Sequence, residues 1–407
     1  MKCRHCGTLL KDVFIDLATA PPSNAYLTAD ELAGPETYYP LRLFVCSDCR
    51  LVQTEDHLAR EALFRGNYAY FSSTSKGWLD HAAAYAAMIS ARLGLKADSF
   101  VIEVASNDGY LLKNFVATGI PCLGIEPTDS TAAAAEALGV PVLRKFFGEE
   151  LARDLVAQGR QADLLIGNNV YAHVPDINDF TRGICRALKP EGVVTLEFPH
   201  LMRLVEGNQF DTIYHEHFSY LSLLAVKRIF EAAGLRVFDV EQLPTHGGSL
   251  RVYGCRREAG HVETPAVSDV LSEEMRRGMG EAGFYAAFQD KANAVKDALV
   301  AFLVEQKRLG KSVAGYGAAA KGNTILNYAG IKADLLPFVC DAAIAKQGKF
   351  TPGSRIPILA PEALSEWTPD YLLILPWNIA DEVMRNHAAL TEKGMRFVTA
   401  LPELRVR

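Results

Sequence analysis

Between residues 100 and 200, short apolar runs alternate with stretches whose apolar residues recur at helical spacing, and each run ends in small or polar residues. The pattern predicts strands over 100–104, 122–125, 164–166 and 193–198 with helices between them, which is a doubly wound parallel α/β sheet. Ahead of it, Ala-rich text over 75–94 places Trp78, Leu79, Tyr85, Met88, Ile89 and Leu93 at helical intervals and ends at Gly94. Behind it, a helix over 224–233 capped by Gly234 leads into a strand over 235–243. Past Gly247-Gly248, a strand over 249–254 is expected to pair with it as an antiparallel edge. A charged region, 256–281, passes into a long helical pattern through Arg308. A second α/β unit follows, with strands over 312–315, 336–340 and 371–376, a helix over 319–329 and a Gly/Pro-rich loop over 348–357.

The first 60 residues differ in kind. They hold Cys3-x2-Cys6 and Cys46-x2-Cys49, a Pro-Pro at 21 and 22, and few apolar residues for an independent core. Two tight knuckles supply four thiolates, which suits a tetrahedral structural Zn2+ with no open position, remote from chemistry. His5 and His57 stand near the knuckles, but four thiols make them unnecessary as ligands. Cys122, Cys185, Cys255 and Cys340 are scattered and read as small apolar fillers.

Composition narrows the functional classes. The 407 residues are 49% hydrophobic and 22% charged, a length for two or three domains of an ordinary soluble protein. A formal net charge of -6 and the lack of any Lys/Arg run give no attraction to nucleic acid or acidic membranes. No apolar run approaches the roughly 18 to 20 residues that span a bilayer, and no signal peptide is read ahead of Cys3. The expectation is a cytoplasmic monomer or weak homo-oligomer without nucleic-acid or membrane partners.

Chemistry-bearing residues collect at the predicted strand ends, where open α/β sheets bind ligands. Glu103-Val-Ala-Ser106-Asn107-Asp108-Gly109 follows the first strand and opens a helix, so small residues, amide donors and carboxylates meet there. Glu126, followed by Pro127, ends the second strand about twenty residues on, where an acidic group holds ribose hydroxyls. Asn168-Asn169-Val170, with His173 close behind, ends a later strand. The strict G-x-G-x-x-G is absent, which weighs against a nicotinamide cofactor. Asn67 to Thr74, including Tyr68, Tyr70, Ser72 and Ser73, reads either as a lid or as a loop with a helix cap. Gly315-Tyr-Gly317-Ala-Ala-Ala-Lys321-Gly322-Asn323-Thr324 reads either as a phosphate site or as close helix-on-sheet packing.

The densest cluster is Tyr214-His215-Glu216-His217-Phe218-Ser219-Tyr220, after the 193–198 strand. Two imidazoles at i and i+2 share a face in an extended segment, as a metal site would want, but no third ligand lies nearby. A proton-transfer role suits histidine better. Spacing leaves the acceptor open between His215 and His217.

Taken together, these motifs resemble the sugar C-methyltransferase family of deoxysugar biosynthesis, over essentially the whole chain. The markers are the four cysteines, the strand end at 103–109, Tyr-His-Glu-His at 214–217, and the Gly-rich turn at 315–324. The resemblance implies a zinc-binding domain over 1–66 and a class I methyltransferase (Rossmann-like) domain over 67–256. A helical linker over 257–305 and a Rossmann-like nucleotide-sugar-binding domain over 306–407 complete it. It implies S-adenosylmethionine held by Glu103, Ser106, Asn107, Asp108, Gly109, Glu126, Pro127, Asn168, Asn169 and Val170. His217 becomes the base, in a catalytic group with Tyr214, Glu216, His215 and Tyr68. Tyr70, Ser72, Ser73 and His173 would meet the sugar, and Lys321, Asn323 and Thr324 the nucleotide-diphosphate end. The implied reaction is methylation of C3 of a nucleoside-diphosphate 4-keto-deoxysugar. Rival readings are an O- or N-methyltransferase, a non-enzymatic zinc scaffold and a nicotinamide oxidoreductase.

Overall fold

The computed structural model describes residues 1–57 and 71–407. Strands β1 (Asp12–Ala20), β2 (Tyr39–Val45) and β3 (Val52–Thr54) form an antiparallel meander. Its apolar residues are few but not wasted. Phe14, Ile15, Leu17, Leu41 and Leu43 bury in one cluster with Leu201 and Phe210 of the central region and Val313, Ile325 and Leu373 of the C-terminal one. The segment therefore lacks a core of its own, as its composition indicates, and borrows one.

The cysteine knuckles staple its open end. Cys3 and Cys49 sulfurs lie 3.5 Å apart, as do those of Cys6 and Cys46, and all four sulfurs fall within 4.8 Å of one another. Zn2+ at ~2.3 Å from each sulfur needs tetrahedral edges of about 3.8 Å, so the donor set fits a closed structural site.

The central sheet contains β4 (Val101–Val104), β5 (Cys122–Ile125), β6 (Val142–Leu143), β7 (Ala162–Asn168) and β8 (Leu188–Pro199). The chain then leaves it, and β9 (Ser219–Tyr220) pairs antiparallel with β3 of the first sheet. After helix Leu223–Ala232 it returns as β10 (Leu235–Leu243) and β11 (Ser249–Arg256). The order is β10-β11-β8-β7-β4-β5-β6, parallel but for β11. Strands β10 and β11 pair antiparallel at one edge of the sheet, as expected, with β11 joined to β8 and β10 outermost. Helix Lys76–Leu93 starts at Ser75, whose hydroxyl accepts from Trp78 N, and ends at Gly94 with φ +61.

Helices Pro265–Arg276 and Phe288–Arg308 lead to the last sheet, and Phe288 stacks on Phe14 with ring centroids 4.8 Å apart. That sheet has β12 (Val313–Tyr316), β13 (Val339–Cys340), β14 (Ile358–Leu359), β15 (Tyr371–Ile374), β16 (Arg396–Thr399) and β17 (Arg405–Val406). The order β14-β13-β12-β15-β16-β17, parallel except for β17, is Rossmann-like. Among the described residues, no helix is long and apolar enough to cross a membrane.

Candidate active site

A cavity of about 380 Å³ opens where the three sheets meet, lined by Asn24 of the N-terminal segment, by strand ends of the central sheet, and by Ala319, Ala320, Lys321 and Lys346 of the C-terminal unit. The turn after β4 lines this cavity and runs through Ala105 (φ +57) and Asn107 (φ +49), both in left-handed conformations. Close packing holds this turn. A Cβ on Gly124 would lie 2.4 Å from Ser106 Oγ, and one on Gly109 would lie 3.1 Å from Ala135 Cα. Glu126 braces it from β5. Its Oε2 accepts from Asn107 N at 3.0 Å, and its Oε1 accepts from Thr128 N at 2.9 Å and Thr128 Oγ1 at 2.5 Å.

The cofactor residues expected from the sequence divide into two groups. Asn107, Glu126, Pro127, Asn168, Asn169 and Val170 line the cavity; Glu103, Ser106, Asp108 and Gly109 stand behind its wall. Burial pushes the Glu103 carboxyl well above its ordinary value, and the Asp108 and Glu126 charges add to this while a bond from Tyr110 opposes it. Asn168 gives the clearest sign of a ligand. Both polar atoms of its side-chain amide are buried without a partner among the described residues, a costly state that a ligand or water in the cavity would relieve. Ser72 and Ser73 meet the turn through their backbone amides, which donate to Asn107 Oδ1 at 2.9 Å and Asp108 Oδ2 at 3.0 Å; only Ser72 lines the cavity. Tyr68 and Tyr70, with Asn67, lie outside the described residues.

Tyr214, Glu216, His217, His173 and His246 line the same cavity. His217 packs against Tyr214 at 4.0 Å and His173 at 4.6 Å between ring centroids. Its Nδ1 lies 2.9 Å from the Thr212 carbonyl, so Nδ1 carries the proton and Nε2 is the basic atom. Burial, and then the neighbouring His173, holds its pKa well below the ordinary histidine value. Burial lowers His173 and His246 to about 4. His173 Nδ1 meets the Glu216 carbonyl at 2.8 Å, and Asn169 Nδ2 donates to His246 Nε2 at 3.1 Å. His215 turns the other way. It is buried outside the cavity, with Nε2 donating to the Pro40 carbonyl at 3.2 Å beside Tyr39.

The C-terminal turn shows the close packing that was one of its two readings. Gly317 and Gly322 are packing glycines: a Cβ would lie 2.4 Å from Pro376 Cδ and 3.0 Å from Leu375 Cβ. Lys321 enters the cavity, its ammonium 5.1 Å from the Trp377 ring and donating to Asn378 Oδ1 at 2.8 Å. Asn323 and Thr324 do not reach the cavity. They donate instead to the carbonyls of Ser23 at 2.7 Å and Ile213 at 2.8 Å.

Sequence reasoning missed Asn24, Lys145, Phe146, Lys346 and His246 as lining residues, and took Trp78 only as core. His246 left a signal, a titratable residue beside Gly247-Gly248 after a strand. Asn24 left none, because it reaches Glu216 across 192 residues of chain.

A seven-stranded sheet of this order, matched over 78–240 by a methyltransferase family model, is that of a class I S-adenosylmethionine-dependent methyltransferase. Family models divide the chain into a "Putative zinc binding domain" over 3–64, a "Methyltransferase domain" over 78–240 and a "C-methyltransferase C-terminal domain" over 244–402. C-methyltransferase NovU of Streptomyces niveus is 36% identical over 408 residues, covering 100% of this chain and 96% of that one. A ubiquinone biosynthesis O-methyltransferase of Methylobacterium sp. (strain 4-46) is 28% identical over 97 residues, covering 23% of this chain and 38% of its own. The solved magnesium protoporphyrin IX methyltransferase of Synechocystis with bound SAH covers 44% of this chain and 84% of that one at 13% identity, with a TM-score of 0.35. The chain belongs to the S-adenosylmethionine-dependent C-methyltransferase family, with a zinc-binding N-terminal domain. This displaces the O- or N-methyltransferase, scaffold and oxidoreductase readings.

Proposed function

We propose that this C-methyltransferase acts on C3 of a nucleoside-diphosphate 4-keto-deoxysugar, through an enolate formed by His217. A saturated sugar carbon is no nucleophile, but a C4 ketone acidifies the C3 hydrogen. Bound S-adenosylmethionine supplies the electrophilic methyl. His217 Nε2 takes the C3 proton, the enolate carbon forms the new C–C bond, and the methyl–sulfur bonding pair leaves with sulfur as S-adenosylhomocysteine. The imidazolium then loses its proton to water.

One observation supports the reading: the Thr212 carbonyl holds the proton on His217 Nδ1 and leaves Nε2 basic, in a side chain that lines the same cavity as the strand ends Asn107, Glu126 and Asn168. The depressed pKa keeps that nitrogen deprotonated at neutral pH but makes it a weaker base. Enolate formation therefore needs donors at the developing oxyanion, a role that suits Tyr214 and His173, with Glu216 orienting substrate hydroxyl or amine. Asn107, Glu126 and Asn168 hold the cofactor in this scheme, while Lys321 and Lys346 of the C-terminal unit suit a diphosphate. Lining from both α/β units suits the positioning that in-line methyl transfer demands. A nucleotide-linked substrate of this kind accords with the cytoplasmic location expected from the sequence.

The test is incubation with S-adenosylmethionine and a panel of nucleoside-diphosphate 4-keto-6-deoxysugars. A mass gain of one methyl on the sugar, with a C-methyl NMR signal on a quaternary carbon, is expected. Cofactor binding without turnover across a broad panel would sink the substrate assignment.

A further inference from the structure

The conspicuous Lys321-Gly-Asn323-Thr324 stretch leaves two residues that the cavity does not use. Asn323 and Thr324, both buried, are neighbours near the start of helix Ala320–Tyr328, and each donates to a main-chain carbonyl far away in sequence. Asn323 takes hold of Ser23, the residue before Asn24. Thr324 takes hold of Ile213, the residue before Tyr214 and three before Glu216. The two segments so pinned then meet: Asn24 Nδ2 lies 2.8 and 2.9 Å from the two carboxylate oxygens of Glu216.

The 21–27 segment is fastened to the C-terminal unit at further points. The Tyr26 hydroxyl donates to the Ala318 carbonyl at 2.6 Å, and Leu27 forms an antiparallel bridge with Phe350, with hydrogen bonds of 3.0 and 2.8 Å. A loop that hung only from its own small sheet would be free to shift; this one is tied on both sides of Asn24 to the unit that also carries Lys321. Glu216 is 2% exposed, so the orientation of its carboxylate depends on the groups packed around it, Asn24 among them.

We infer that Asn24 is a positioning residue for Glu216, and that Asn323 and Thr324 act as adjacent pins setting the N-terminal and central segments in register so that this contact forms. The C-terminal domain thereby assembles the reacting end of the site as well as lining it. This inference rests on the reading of Glu216 as part of that end. An amide donor suits such a position because it fixes a carboxylate without neutralising it and brings no titration of its own.

The test uses the full-length zinc-loaded enzyme and the best-turned-over sugar of the panel above. Asn24→Leu should lower kcat by about 10- to 100-fold, the range for losing a hydrogen bond to a charged group, while S-adenosylmethionine affinity and melting temperature stay near wild type. In a Glu216→Gln background the same substitution should add little, because the carboxylate it serves is gone. Asn323→Ser should show a milder kcat loss that is non-additive with Asn24→Leu. Should Asn24→Leu fail to fold, isosteric Asn24→Asp replaces it in the cycle, with the same non-additivity expected. Wild-type kcat in the Asn24 variant, or full additivity with an impaired Glu216→Gln, overturns the inference and leaves the proposed reaction standing. Wild-type activity in Glu216→Gln removes the role of Glu216 and the inference with it.

Discussion

Replacing Asp211 with Asn should reverse its effect on stability between acid and neutral pH. Asp211 is fully buried; its Oδ2 accepts from Trp377 Nε1 at 2.8 Å, and its Oδ1 has no partner among the described residues. Burial pushes its carboxyl from 3.8 up to about 6, against the opposing pull of the Lys321 ammonium. Because the folded value is raised, the favourable state is the protonated one: its contribution is fully present below pH about 4 and is lost as pH rises through about 6. The shift corresponds to ~3 kcal/mol of destabilisation at pH 7.5. Asn resembles the neutral acid and avoids the cost of a buried charge, but its Nδ2 would occupy the partnerless position at a cost of about 1 kcal/mol. The variant should therefore be more stable than wild type by ~2 kcal/mol at pH 7.5 and less stable by about 1 kcal/mol at pH 4. Thermal and urea melts across pH 4 to 8 on both proteins measure this. A stability difference that does not vary with pH would refute the reasoning. The carboxylate also favours the charged form of Lys321, whose pKa burial lowers, so if Lys321 meets the diphosphate as proposed, the same variant should bind that substrate more weakly.

Gly124→Ala would set a methyl 2.4 Å from Ser106 Oγ, displacing the turn that carries Asn107; a stability loss of about 1–3 kcal/mol with weakened S-adenosylmethionine binding is expected by melting and calorimetry. Because burial holds His217, His173 and His246 below the ordinary histidine value, kcat/KM should show no acid limb near pH 6.5, and a limb there in a pH-rate profile would contradict the neutral, buried site. One Zn2+ per chain is expected by elemental analysis. Cys46→Ser should lower that content, loosen the β1–β3 meander in hydrogen exchange and reduce turnover, since β3 pairs with β9 and Thr54 Oγ1 donates to the His217 carbonyl at 3.2 Å.

The central sheet was legible because its strands are short apolar runs ended by small or polar residues, such as Ala105-Ser106, Glu126 and Gly167-Asn168, a local signal. Strand β6 was not: Val142–Leu143 is two half-buried residues at an edge, too short for periodicity to register. The position of β11 inside the sheet was equally hidden, since antiparallel pairing with β10 looks the same in sequence whether or not β8 lies beyond. Asn107, Glu126 and Asn168 were legible as cavity-lining residues because strand ends in such sheets face the cleft. The split between His215 and His217 was not, because it depends on the turn in which His217 N donates to the Tyr214 carbonyl at 2.9 Å and on carbonyls contributed by Pro40 and Thr212. Asn323 and Thr324 stood out as a motif, yet the partners that define their position, Ser23 and Ile213, are main-chain atoms that no side-chain pattern marks.

The most direct measurement of the central claim is proton exchange at the substrate carbon in deuterated water, followed by NMR alongside methyl transfer, for wild type and His217→Asn. Wild-type enzyme should exchange the C3 hydrogen of a 4-keto-deoxysugar that it methylates. His217→Asn should lose both exchange and methylation by about 10²- to 10⁴-fold while S-adenosylmethionine affinity stays near wild type. Exchange and methyl transfer retained in His217→Asn would contradict the account and assign the proton to another group.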